Sequence, residues 1–392
     1  MSKFVLYGNG IDDDYPAIQE LLDARRNEVV LPIPEKNYLI SKTLKIHSGQ
    51  SLKLSPYTLV RLKADSNCAM LEDDDFATWK ENICVDGGIW DMDNINQEPN
   101  PWHFAGKDGK TAYDRLNEAN KDFHFSKLTV LPDVYTGFCM RFCRVNNFVM
   151  KNVTFRNPVT YGVQVSYMTN FTFTDIIFDY NQGAPKLWNM DGIHIEGNCK
   201  FGYIHNVKGA CHDDLLAITA DDGGPYGPIS DIVVDGVFAE KSHSAVRLLS
   251  HGQPVKNIKI CNVYGSYYVY GIGITKYYGG PEERGYFENI TIDNVSACLC
   301  EGTKDVPGGK CPLIWVENGL DLYGLSITNV YRTEEKVAQP TIGFGETIIV
   351  QNLIINNVHL INKMEEPIEH LRLQGTIKDA IVDNIFVDKV KL

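Results

Sequence analysis

Two short acidic motifs carry the chemistry this sequence could perform. Asn189-Met190-Asp191-Gly192 runs into Ile193-His194-Ile195, and His212-Asp213-Asp214 runs into Leu215-Leu216-Ala217-Ile218. Ionised carboxylates so close in sequence repel one another, so such a cluster holds a proton, takes a metal, or is kept for a reaction. A protonated carboxyl beside ionised ones is the acid/base pairing that cleavage of a glycosidic bond requires. A single aspartate here would read as a corner residue bonded to its own backbone. Three within 24 residues, in two motifs that each precede a short apolar strand, point to function.

The elements that position these motifs repeat. From about residue 145 the unit is a β-branched or aromatic strand, then Asn or Asp, then Val or Ile, then another short strand. It recurs at Asn152-Val153, Asp175-Ile176, Asn206-Val207, Asp235-Gly236-Val237, Asn262-Val263, Asn294-Val295, Asn329-Val330, Asn357-Val358 and Asn384-Ile385, at spacings of 23 to 35 residues. A period in that range marks a solenoid. Strand-length segments without a helical period make it an all-β, right-handed parallel β-helix whose coils bury their apolar sides by stacking. The reading is one domain over 1–392, with an N-terminal cap over 1–50, a loop insertion over 91–135 and regular coils over 145–392.

The cap contains a short amphipathic helix between Asp12 and Arg26, with Ala17, Ile18, Leu21 and Leu22 on one face and Asp12 to Asp14 able to cap its start. Covering the open end of a solenoid protects its strand edges. Residues 91–135 are polar, carry Pro99, Pro101, Gly106 and Gly109, and include Trp102, His103 and Phe104. A long excursion of this kind is a loop over a cleft or a structural flap.

Side chains alternate across a strand, so the pairs Ile193/Ile195, Leu216/Ile218, Val246/Leu248 and Ile272/Ile274 are aligned as inward residues of successive rungs. On that register Asp191 stacks on Asp214, and Asp213 lies under His243. The outward column between the pairs reads His194, Ala217, Arg247, Gly273. Arg247 serves either a substrate or an acidic neighbour such as Glu196. His212 and His251 read as surface or hydrogen-bonded histidines.

Composition bounds the partners. A net charge of −13 argues against a nucleic-acid binder, which needs a basic face. No run approaches a membrane span. Met1-Ser2-Lys3-Phe4-Val5-Leu6 is too short for a secretory signal. The sequence as it stands reads as cytoplasmic, and as secreted or periplasmic if a signal was removed. The ten cysteines are scattered and read as free thiols, without a second ligand pair to make Cys139/Cys143 or Cys298/Cys300 a metal site.

Several motifs resemble a known family. Gly8-Asn9-Gly10-Ile11-Asp12-Asp13 followed by Ala17-Ile18-Gln19 resembles the opening of pectate-lyase-like β-helices, phage tailspikes among them. Asn189-Met190-Asp191-Gly192 and Asp213-Asp214 resemble signature motifs of the polygalacturonases, glycoside hydrolase family 28. The resemblance implies inverting hydrolysis of a polysaccharide or oligosaccharide, possible uronate-containing chains such as pectin included, with no metal or other cofactor. It makes Asp213 the general acid, Asp191 and Asp214 the bases, and His243 the family's catalytic histidine, here flanked by Ser242 and Ser244 instead of glycines. The family's substrate-binding Arg-Ile-Lys stretch is Gly273-Ile274-Thr275 in this chain, which puts plain galacturonan in question and moves the substrate cation to Arg247, one rung earlier. Asn189, His194, Lys276, Trp188 and Tyr270 complete the expected substrate contacts. The last two stand for the aromatic set Trp188, Tyr264, Tyr267, Tyr268, Tyr270, Tyr277 and Tyr278, since flat rings pack on pyranose faces. Two alternatives use the same fold. One is a polysaccharide lyase with calcium held by Asp191, Asp213 and Asp214. The other is a non-catalytic, tailspike- or adhesin-like glycan binder, which would be a trimer where the enzyme would be a monomer.

Overall fold

A computed structural model describes residues 4–119, 134–222, 226–277, 280 and 282–391 of the 392. The chain is a parallel β-helix of short strands stacked in register. Its internal contacts divide it into two units, Met1–His194 and Ile195–Leu392. Among the described residues no helix is long and apolar enough to cross a membrane.

The first unit opens with the helix Tyr15–Asp23, shorter at both ends than the sequence pattern suggests, which buries Ala17, Ile18 and Leu22. The three aspartates before it divide their work. Asp13 accepts the Tyr15 N–H at 3.0 Å at the helix start. Asp14 accepts the N–H groups of Tyr7, Gly8 and Leu39 instead, at 2.6, 3.0 and 3.1 Å, and so ties the leading segment to the first coil. Asp12 accepts from the Asn9 amide at 2.8 Å. Coiling starts well before residue 50. Glu28–Val30 pairs with Ser51–Lys53, Tyr38–Ile40 with Leu59–Leu62, and Leu44–Ile46 with Leu71–Asp73, all parallel. These strands of three or four residues lack the Asn-Val corner, which is why the repeat is invisible there.

The excursion after the strand Ile89–Asp91 is partly helical, with a 3-10 turn at Asn94–Asn96 and a helix at Ala112–Ala119. Positions 120–133 of the expected insertion lie outside the described residues, as does Tyr278. What is described packs down firmly. The Trp102 indole donates to the Thr136 carbonyl at 3.0 Å, and Phe104 stacks on Trp188 with centroids 5.9 Å apart. The Asn100 amide donates to the Trp188 carbonyl and to Asn189 Oδ1, both at 3.1 Å.

In the second unit the long strands Ile229–Ser242, Pro254–Tyr267, Gly285–Leu299, Leu320–Glu334 and Ile349–Asn362 stack in parallel register. Each bends at the repeated corner. Asn206, Asn262, Asn294, Asn329, Asn357 and Asn384 all have φ between 54° and 60°, the left-handed region that asparagine tolerates better than most residues. Where the corner residue is Gly236, φ is 88°. The bend turns the next residue inward, so Val237, Val263, Val295, Val330, Val358 and Ile385 form one buried column. Fully burying such a side chain is worth roughly 1.5–3 kcal/mol. The corner amides run a ladder: Asn262 donates to Asp235 and Asn294 to Asn262, each at 2.6 Å, and Asn357 donates to Asn329 at 2.7 Å. The repeat in the sequence is thus a bend, a polar ladder and an apolar column written in two letters.

A second row of short strands, Asp214–Thr219, Ser244–Leu249, Ile272–Thr275, Ile314–Val316 and Ile342–Phe344, closes each coil. Leu216, Val246 and Ile272 pair in register, as do Ile218, Leu248 and Ile274, and all are buried, as the rung alignment requires. Replacing Asn294 by Ala should cost about 1–3 kcal/mol, from left-handed strain plus the lost ladder bonds. Asn294→Gly should cost less, because glycine relieves the strain and only the bonds are lost; chemical denaturation of the two variants measures the difference.

Candidate active site

In the second unit the register brings together residues about thirty positions apart. Asp214 pairs with Ser244, so Asp213 and His243, just before them, lie side by side at the mouths of neighbouring strands. His243 Nδ1 stands 3.8 Å from Asp213 Oδ1. One ligand-type atom from each of Asp213, Asp214 and His243 lies within 4.8 Å of the others.

The two adjacent aspartates have opposite surroundings. Asp214 is fully buried. Its Oδ2 forms an ion pair with Arg247 Nε at 2.7 Å, and its Oδ1 accepts from the Tyr270 hydroxyl at 3.0 Å and from the Ser244 hydroxyl. Ser244 and Arg247 from one strand and Tyr270 from the segment before the next thus surround its two oxygens, an environment made for an anion. The Asp213 side chain keeps 26% of its surface exposed. Burial within the site holds its carboxyl above the ordinary range, the neighbouring Asp214 charge adds to that, and His243 and Arg247 pull the other way. One carboxyl therefore favours its proton beside one that is anchored as an acceptor.

Arg247 does not stand alone in the outward column. Besides Asp214 it pairs with Asp222 at 3.2 Å, and its side chain is 12% exposed. Asp222 is pushed upward by burial, with Arg247 opposing. Gly273, next in the column, is occupied in effect by Tyr270: a Cβ there would lie 2.8 Å from Tyr270 Cε2. The ring that fills this place is the one whose hydroxyl reaches Asp214. Tyr270, expected on the substrate, is buried and holds Asp214. Tyr268 is buried too, with its ring edge-on to His243 at 5.3 Å. Lys276 is turned away from the cluster: its ammonium donates to the Gly280 carbonyl at 2.5 Å and its N–H to Glu317 at 2.7 Å. It follows the strand's last inward-outward alternation and belongs to the loop beyond. Tyr277 is exposed, while Tyr267 is buried with its hydroxyl on the Tyr264 carbonyl. The His251 imidazole stands 3.2 Å from the Glu283 carboxylate, and its backbone N–H donates to Asp221 at 2.9 Å.

In the first unit the other motif is also assembled. His194 Nδ1 meets Asp191 Oδ2 at 2.8 Å, and both side chains are buried. The imidazole stacks on Tyr161 at 4.3 Å, and Tyr161 on Phe138 at 4.4 Å, both within 7° of parallel. His194, expected to touch substrate, is instead sunk in this ring stack and orients Asp191. The Tyr180 hydroxyl donates to the Asp191 carbonyl at 3.0 Å. Asn189 occupies a left-handed corner with φ 51° and accepts from Asn100, and Trp188 is half-buried under Phe104.

Tyr268 enters the sequence reading only within its aromatic set, and neither Asp222 nor a role for Ser244 is singled out there. Asp222 had a signal: Asp221-Asp222 is a second acidic pair, at the exit of the strand that Asp213-Asp214 enters. Ser244 was seen only as a departure from glycine. All ten cysteines are free thiols. A cation could reach Asp213, Asp214 and His243 by distance alone, but calcium wants six to eight oxygen ligands, and Arg247 already sets a positive charge against Asp214.

Residues 135–371 match the model of the family described as glycosyl hydrolases family 28. Polygalacturonases of Gossypium barbadense and Gossypium hirsutum are each 26% identical over 234 residues, 59% of this chain and 53% of theirs. The chain thus spans about half the length of the curated relatives it matches. A hyperthermoactive exopolygalacturonase from Thermotoga maritima superposes with a TM-score of 0.62 at 15% identity, covering 98% of this chain and 90% of that one. A family 28 exopolygalacturonase from Yersinia enterocolitica gives 0.52 at 15% identity, covering 99% of this chain and 76% of its own. At these identities the structures show a shared fold.

The raised Asp213 carboxyl sets a stability prediction. The folded chain holds this proton to higher pH than the unfolded chain, so in that interval the native state binds more protons and stability falls as pH rises. Asp213→Asn should therefore raise the melting temperature at pH 7, and the gain should vanish at acid pH, where Asp213 is protonated in both states. Melting curves of the two chains from pH 3 to 8 check this; a gain independent of pH would contradict it.

Proposed function

The chain belongs to glycosyl hydrolases family 28, and on that premise we propose that it is an inverting glycoside hydrolase that cleaves a polysaccharide or oligosaccharide, with pectin-like uronate chains as the leading substrate class. The observation that carries the reading is the pairing of Asp213, whose carboxyl is pushed toward its protonated form, with Asp214, anchored by Arg247, Tyr270 and Ser244.

In this reading Asp213 donates its proton to the glycosidic oxygen as the bond breaks, and the anionic Asp214 beside it stabilises the positive charge that develops on the sugar. Inversion needs a base that takes a proton from water on the opposite face of the ring, with carboxyl groups about 6.5–9.5 Å apart to admit that water. Asp213 and Asp214 approach more closely than that, within 4.8 Å at their nearest ligand atoms. We therefore assign Asp214 chiefly to charge and to tuning Asp213. Asp191 enters as the base, an assignment that rests on the motif it sits in and on its orientation by His194 within its own unit. In the same reading His243, 3.8 Å from Asp213, relays the proton that resets the acid. The size and linkage of the substrate are set by loops around these residues.

Asp213→Asn should lower turnover by about 10²–10⁴-fold or more, the range for losing a general acid. Incubation with pectic, bacterial and neutral polysaccharides should yield new reducing ends without ultraviolet-absorbing unsaturated sugars. Absorbance that a chelator abolishes would replace hydrolysis by a lyase, and a trimer that binds but never cleaves would replace it by a glycan-binding protein.

Arg247 is held between two carboxylates, so its removal should weaken turnover on acidic and neutral oligosaccharides alike, by releasing Asp214. A loss for Arg247→Ala confined to acidic oligosaccharides, seen in KM rather than kcat, would make the guanidinium a direct substrate contact instead.

A further inference from the structure

The outer face of the long strands in the second unit carries a feature that hydrolysis does not use. Two places beyond each corner, the side chains form one outward column in register: Phe238, Tyr264, Ser296, Tyr331, His359, Phe386. The rings stack along it. Phe238 lies on Tyr264 at 5.2 Å and 9°, Tyr331 on His359 at 5.0 Å and 18°, and His359 on Phe386 at 4.5 Å and 8°. The stack is interrupted at one rung, Ser296, which is exposed.

The interruption leaves a slot. Strands stack about 4.8 Å apart, so the rungs of Tyr264 and Tyr331 are separated by roughly 10 Å, and a ring set between them lies about 5 Å from each, the distance at which ring faces pack. The flanking rings are held in place, since the hydroxyls of Tyr264 and Tyr331 each accept from the next corner amide, Asn294 and Asn357, at 3.0 Å. Beside the slot opens a cavity of about 370 Å³, lined by Ser296, Cys298, Tyr331 and Thr333 and reaching Lys389. That is the size of a small-ligand site. No carboxylate lines it, although the chain carries a net charge of −13, and Arg332, which also borders it, is consumed by Glu334 at 2.6 Å.

We propose that this gap is a second carbohydrate site, separate from the aspartate cluster, that seats one pyranose ring of an acidic oligosaccharide against Tyr331 and receives the carboxylate of a further sugar of the same chain at Lys389, three rungs on from Ser296. A sugar ring has an apolar face for the tyrosine and a hydroxyl rim for Ser296 and Thr333, which a purely apolar partner lacks. The lysine and the missing carboxylates select an anionic chain. The choice of sugar rests on the hydrolase reading; the slot does not.

The test uses full-length Asp213→Asn protein, so that ligand survives, titrated calorimetrically with oligogalacturonates and with neutral galacto-oligosaccharides of equal length. Adding Tyr331→Ala, or Ser296→Trp to fill the slot, should remove one binding event for the acidic ligand; Ser296→Trp should do so with the parent's melting temperature, whereas Tyr331→Ala also loses the Asn357 bond and the His359 stack and should melt lower. Adding Lys389→Gln should weaken that event about five- to tenfold for the acidic ligand, the worth of one charge-assisted contact, and leave neutral sugars unchanged. Identical titrations for the parent and both slot variants would overturn the proposal. So would self-association of the parent that Tyr331→Ala abolishes without any sugar bound, which would make the strip a contact between copies. If unsubstituted protein cleaves nothing yet the Tyr331-dependent event persists, the hydrolase reading fails and this one stands.

Discussion

Parallel register is the constraint on which the second unit depends. Leu216, Val246 and Ile272 are each a rung apart because the corner asparagines bend every coil at the same place and the valines behind them fill one column. Once that register is set, Asp214 must face Ser244 and Ala217 must face Arg247. Nothing local in the sequence joins positions 213 and 243, or 247 and 222. The stacking does, and it does so on a backbone whose amides and carbonyls are consumed by neighbouring coils and leave little freedom to drift.

On that frame the chemistry is a matter of charge. Three carboxylates, Asp213, Asp214 and Asp222, share one guanidinium. Arg247 cannot neutralise them all: Asp213 and Asp222 are both pushed upward, and of the three Asp213 keeps the most contact with solvent. Burial of an ion pair is costly unless its remaining groups are satisfied. Ser244 and Tyr270 supply that satisfaction at Asp214, so this carboxylate is fixed in place beside Asp213. Two departures from the family's expected residues bear on the same carboxylate: Ser244 donates to Asp214, and Gly273 admits the Tyr270 ring whose hydroxyl does the same.

Much of this was legible beforehand, for identifiable reasons. The two-letter corner encodes a bend and an inward column, so the fold and the rungs from Leu216 to Ile274 could be read, and with them the meeting of Asp213 and His243. The first coils were not legible, because strands such as Leu44–Ile46 turn without an asparagine corner. Burial was also hidden. Alternation says that His194 and Arg247 point out of the coil, and so they do, but loops and neighbouring side chains cover the outside there. His194 is sealed by Tyr161 and Arg247 by two aspartates. Lys276 illustrates the converse: a cation one residue past the strand is free of the register and follows its own loop.

The two sites of the second unit share a physical origin. In a stacked coil every outward column is continuous by default, and each side chain is packed against those one rung above and below. A column becomes a site where one rung withholds its side chain. At Gly273 the missing side chain admits the Tyr270 ring, which crosses the column and delivers a hydroxyl to Asp214. At Ser296 the missing ring opens the aromatic stack between Tyr264 and Tyr331 and leaves its space to solvent. The first vacancy is filled from within the chain, so it rigidifies a carboxylate. The second is unfilled by any described ring, so it can accept a planar or chair-shaped group from outside. A repeat fold can therefore gain a binding site by a single large-to-small change in one coil, at the cost of two ring contacts and without disturbing the register that the corners and the buried valines maintain.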